Sequence, residues 1–281
     1  MPINLDRVRR AKGMIDARPE APQLRTEFHA LRSDLFIVRQ LVHGAEAEGR
    51  DATEERKREH PHLRGHAQIV DERVGELVTV GHKLQWQLTQ HIEQRLPWDV
   101  YVHYASLDVV VFFMLLRSAL DHSAGIIQHV VTAPKGQRKR FSSFHELHGF
   151  AGTSRGRQYL GDVVSDLVVS CDWFEDVRGW RDAIVHEGSH LLVTNDGPRP
   201  VFLIAHGTTF EMNIPEVMCS TNVVDYWHFA GLYLAYLICF LDDLALLVRG
   251  MLPTVTFGAN PSMQHPGLVF LHEAMNELAP Q

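Results

Sequence analysis

A chain of 281 residues with 45% hydrophobic and 22% charged side chains is long enough for one large or two modest domains, with the composition of an ordinary globular protein. Its formal net charge of -7 excludes a global basic field, so any nucleic-acid binding needs a local patch. Cys171, Cys219 and Cys239 show neither metal-type spacing nor a disulfide framework, and the N-terminus lacks a signal-length apolar core; both point to the cytoplasm.

In chain order, residues 3–17 predict a short helix closed near Pro19 and Pro22. Residues 23–47 predict a second, with Phe28, Leu31, Leu35, Val38, Leu41 and Val42 at helical spacing. Arg50 to His66 is charged and reads as a solvated loop or helix end, followed by a third helix over 67–95. Pro97 suits the first turn of a fourth helix, Trp98 to about Val131, whose apolar middle marks it as central. Lys135, Arg138, Lys139 and Arg140 then form a compact basic loop. Gly149 to Gly156 marks a break, and residues 157–171 and 172–187 predict two helices or one bent helix.

Beyond them, His190–Thr194, Val201–Ala205 and Thr209–Asn213 read as short strands, with Asp196-Gly197 turning between the first two. A last long helix spans Asn222 to about Leu252, with Thr221 or Ser220 as N-cap, and the tail from Pro253 reads as an extended wrap with one helical turn. The apolar stretches Val109–Leu116 and Phe229–Leu241 are shorter than a bilayer span, so no membrane is expected. The predicted fold class is mainly α, a helical bundle with a small antiparallel β-hairpin or meander inserted before the last long helix. Residues 1–95 supply N-terminal helices packed on the core and residues 96–281 the bundle with its β insertion; no linker separates them, so one continuous domain is the alternative.

Chemistry concentrates in Trp173 to His190, where two motifs share His186. Arg181 and His186 stand at a spacing that recurs at Arg117–His122 and Arg140–His145, so spacing alone carries nothing. Context singles them out: Asp182 lies four residues before His186, a neighbour on a helix that can orient the imidazole and favour its protonated form. Arg181 adds a fork suited to phosphate, and the trio combines charge stabilisation with an oriented acid or base.

Arg181-Asp182-Ala-Ile-Val-His186 resembles the signature of the HEPN superfamily: arginine, a polar residue, three residues, histidine. The resemblance covers roughly residues 98–252, where an apolar helix precedes the motif and another follows. It implies metal-independent RNA cleavage at a homodimer seam, without cofactor. His186 would be general acid or base, Arg181 would stabilise the scissile phosphate and Asp182 would hold His186. Lys135, Arg138, Lys139 and Arg140 would contact the RNA backbone. Many members of the superfamily are toxins or antiviral nucleases, which implies an antitoxin protein as partner; others only bind. The strands between His190 and Asn213 depart from a minimal bundle.

Other readings stay open. Arg178, Arg181 and Asp182 can be solvated helix pairs, with His186 ending the helix near its negative pole, in a non-catalytic binding or scaffold protein. His186-Glu187-Gly188-Ser189-His190 spells a zinc-hydrolase helix, but Gly188 is expected to end the helix where zinc needs it to continue. Arg117 and Asp121 suit an ion pair, or with His122 a supporting role near the same cleft. His60, His62 and His66 can bind a metal or be surface histidines of a charged loop. Asp225 and His228 resemble half of a bundle metal site, with core hydrogen bonding preferred. Trp173, Phe174 and Trp180 read as core or dimer-interface anchors.

Overall fold

A computed structural model describes residues 3–16, 23–24, 61–131, 139–186, 190–205, 217–220, 223–252, 263–264 and 267–280. Most of the helix expected over 23–47, the strand expected over Thr209–Asn213, and the basic residues Lys135 and Arg138 lie outside these residues.

Two helices form an antiparallel hairpin that carries the rest. α2 (Pro61–Ile92) buries Leu63, Ala67, Val70, Val74, Leu77, Leu84 and Leu88, alternating steps of three and four apart from the gap at Gly81. α3 (Trp98–Val130) answers with Ala105, Val109, Phe112, Leu116, Ala119, Ile126 and Val130 in the same rhythm, interrupted at Ser123. A seam with this period keeps two helices in register over many turns. Asp108 is buried in it, where Lys83 Nζ donates at 2.8 Å and Gln87 Nε2 at 2.9 Å. α2 begins six residues before the expected residue 67, because Pro61 suits a helix start, where no N–H is needed. His62 and His66 therefore stand on a helix, not in a charged loop.

Three short helices follow: α4 (Phe144–Ala151), α5 (Ser154–Leu160) and α6 (Asp162–Val169). The single helix expected over 157–171 is divided at Gly161, whose φ of 83° ends α5. α7 (Phe174–His186) packs beside α3. The β insertion is antiparallel, in the order β3-β4-β6-β5, built from β3 (His190–Asp196), β4 (Arg199–Ala205), β5 (Met218–Ser220) and β6 (Val223–Asp225). Gly197, at φ 56°, supplies the turn between the first two.

α8 (Tyr226–Met251) is buried along almost its whole length. Its N-cap is Asp225, accepting from the His228 backbone N–H at 2.8 Å. The expected caps do not serve, because residues 218–220 and 223–225 are held in the sheet. Where one helical turn was expected in the tail, α9 (Gly267–Leu278) forms a 12-residue helix on α8; residues 253–262 lie outside the described residues. α1 (Leu5–Met14) also packs on α8, through Arg10 to Asp242 and Asp243 at 2.8 and 2.7 Å. Residues 15–16, 23–24 and 263–264 pair as β1, β2 and β7. The architecture is mainly α with a small antiparallel sheet before the last long helix. α3 and α8 have the length and apolarity of membrane spans, although 89% of the apolar window in α8 is buried inside the protein.

Candidate functional site

α7 is amphipathic for a simple reason. Trp173 just before it, then Phe174, Val177, Trp180 and Ala183, recur on one face and are all buried. Trp180 meets Phe113 and Phe229 at ring distances of 6.1 and 5.5 Å, so these aromatics belong to the core. The opposite face carries a ladder of charge. His145 Nδ1 lies 3.0 Å from Glu175 Oε1, and Arg178 Nη1 donates to Glu175 Oε2 at 2.9 Å. Arg178 Nε stands 3.6 Å from Asp182 Oδ2, and Arg181 Nη1 donates to Asp182 Oδ1 at 2.8 Å. Burial works against the Glu175 charge, but Arg178 and His145 outweigh it and hold the carboxyl below the usual range.

Asp182 thus faces an arginine with each oxygen. Arg181 and Asp182 are 28% and 32% exposed, accessible to a ligand from outside. His186 is the last residue of α7, and its side chain lies outside the described set, as does that of His190. α7 ends at His186 and His190 opens β3, so the continuous helix that a zinc motif requires is not formed.

Arg117 and Asp121 form the expected half-buried ion pair at 3.1 Å. It also joins elements: Asp121 Oδ1 accepts from the Phe144 backbone N–H at 2.8 Å, and the Arg117 guanidinium lies 5.2 Å from the Phe174 ring centre. Asp225, 3% exposed, caps α8 and pairs with Arg199 at 3.0 Å, which accounts for the Asp225–His228 spacing without a metal.

The basic residues fall elsewhere. Lys139 and Arg140 line a cleft of about 700 Å³ at the far end of α3, together with His62, His66, Asp121, His122, Gly125, His129 and Tyr159. Lys139 Nζ lies 4.0 Å from the Phe150 ring centre and 3.9 Å from Glu146, so its charge is partly occupied. Measured along α3 from Phe113, which Trp180 contacts, the cleft residues Asp121 to His129 lie about 12 to 24 Å further on at 1.5 Å per residue. The structure therefore does not bring Lys139 and Arg140 together with Arg181.

On the cleft wall, His66 Nδ1 lies 3.1 Å from His122 Nδ1, with the rings tilted by 46°. At that distance one nitrogen carries a proton and the other accepts it. Burial lowers the pKa of both below 6.5; the charges of His122 and His62 add to this at His66, and that of Arg73 at His122. Gly125 makes the arrangement sterically feasible, since a Cβ there would stand 2.4 Å from His66 Cε1. Among the described residues, no three His, Cys, Asp or Glu side chains already converge to hold a metal. The sequence signal for this cleft was His62-x3-His66, legible only once Pro61 is taken as a helix start.

Comparison of the chain with family models, curated proteins and solved structures finds no match.

Proposed function

We propose that this chain is a HEPN-like, metal-independent endoribonuclease of a bacterial defence or toxin system, acting as a homodimer. One observation carries the reading: the Arg181–Asp182 pair stands accessible on a helix that ends at His186. In this reading Arg181 neutralises the scissile phosphate, and His186 moves the proton between the ribose 2′-hydroxyl and the leaving oxygen. The homodimer draws support from α3, where Tyr104, Leu107, Val111 and Met114 form an exposed apolar stripe. Lys139 and Arg140 would then touch RNA at a distance from the cut.

RNA cleavage in EDTA tests the proposal, comparing wild type with Arg181→Ala and His186→Ala. Loss of a general acid or base is expected to slow cleavage by roughly 100-fold or more. Cleavage untouched by both substitutions, or none on any RNA, defeats it. The engagement of both Asp182 oxygens by arginines favours a second reading, in which the chain keeps the helix and binds without cutting. RNA retention on the wild type without cleavage is its signature.

A further inference from the structure

His66 and His122 take no part in the proposed cleavage, and their geometry has its own chemistry. We propose that His66 and His122 form a binding site for a late first-row divalent metal ion, zinc being the probe of choice, with His62 as a third donor. Imidazole nitrogen is the donor such ions prefer.

Three features converge. With metal–nitrogen bonds of about 2.0–2.1 Å, two imidazoles on one ion stand roughly 2.9 to 3.4 Å apart for angles between octahedral and tetrahedral. The observed separation of the two Nδ1 atoms is 3.1 Å. Second, the site is prepared at the backbone: the His66 ring occupies the space where any side chain at position 125 would lie. Glycine is the least favourable residue but proline for a helix interior, and at position 125 the space it leaves is filled by the His66 ring. Third, His62 precedes His66 by four residues on α2 and lines the same cleft with an exposed side chain. Positions four apart share a helix face, the spacing at which two histidines chelate one ion.

Because no three side chains already converge, the ion enters on the preformed pair from α2 and α3. It completes its sphere with water from the open cleft, or with His62 after a side-chain rotation. A two- or three-histidine site with open positions suits reversible binding more than a closed structural role. The ion takes the place of the proton between the two Nδ1 atoms; that proton passes to the free Nε2 of the same ring, so both ligands stay neutral imidazoles. This inference stands apart from the RNA chemistry, which it neither requires nor supports.

The test uses the full chain stripped with EDTA and then dialysed. Zinc chloride is titrated calorimetrically, and cobalt(II) is added separately to read its visible absorption bands. One zinc per chain is expected, with intensified cobalt bands and a rise in melting temperature. His122→Ala removes one ligand; His66→Phe removes the other while keeping a ring over Gly125, so the fold survives. Each is expected to weaken binding roughly tenfold or more, a scale reached even by losing outer-sphere partners. His103→Ala, on an exposed position of α3 outside the cleft, is expected to bind as wild type does. Failure of the wild type to bind zinc overturns the proposal, as does wild-type affinity for zinc in the His66→Phe and His122→Ala proteins. Binding of inorganic phosphate through these histidines, with none of zinc, overturns it as well.

Discussion

Gly125→Ala probes whether the seat under His66 matters. The added Cβ would lie 2.4 Å from His66 Cε1, against about 3.5 Å or more for an ordinary carbon contact. The backbone of α3 is held on both sides, so the ring must yield, and it can swing into the cleft because His66 is only half-buried. Leaving breaks the bond to His122, a loss of about 1 kcal/mol. Alanine in a helix interior gains about 1 kcal/mol over glycine. The two terms nearly cancel, and the single variant should unfold close to the wild type. In a His66→Ala background there is no ring to displace, so the same substitution should stabilise by about 1 kcal/mol. Urea unfolding followed by tryptophan fluorescence reads the cycle; the chain has five tryptophans. A difference of about 1 kcal/mol moves the midpoint by roughly 0.5 M at the usual urea slopes. If the two substitutions add to within roughly 0.3–0.5 kcal/mol, the ring and the glycine are not coupled and the reasoning is wrong.

Asp225→Ala removes the cap of α8 and the partner of Arg199 at a nearly fully buried position; a loss of about 2 kcal/mol is expected by urea unfolding. Leu107→Asp places a charge in the exposed α3 stripe and should shift a dimer to monomer in sedimentation, while an unchanged mass would remove α3 as the seam. Acidification should destabilise the fold from about pH 6.5 downward. His66, His122 and His148 have folded pKa values below 6.5, so their stabilisation is complete above that value and is lost as pH falls, when the unfolded chain takes protons first. Glu175 and Glu277, held below 4.5, add a further loss at lower pH. Melting temperature against pH should show a shallower fall in a His66→Ala/His122→Ala protein.

Residues with strong periodicity were legible from the sequence. The apolar rhythm of α3 and α8 marked both helices, and Gly197 marked the hairpin turn, because these signals depend on neighbours along the chain. Starts and stops were less legible where distant partners decide them. The cap of α8 falls at Asp225 because β4 holds residues 223–225 as a strand, a pairing invisible in local propensity. The stretch before His66 looked like a loop because its charges masked a helix whose buried side, including Leu63 and Ala67, is met by α3. The site divides the same way. Arg181 and Asp182 are sequence neighbours, so their pairing can be read locally, whereas the encounter of His66 with His122 depends on the α2–α3 hairpin and on a glycine three residues beyond His122.

The burial of α8 also bears on how the chain is made. Tyr226 to Leu241 is apolar almost throughout, and two of the elements that cover it, α1 and α9, come from far apart in the sequence. The pairing of Arg10 with Asp242 spans 232 residues, and Asn4 N–H donates to the Tyr236 hydroxyl across the same interval. As the chain leaves the ribosome, α8 emerges before α9 exists and α1 has no surface to dock on until α8 is out. Until residues 267–278 follow, the side of α8 that α9 covers, where Gly231 lies against Ala274, stands bare, and slowing translation over that stretch should lengthen its exposure to chaperones.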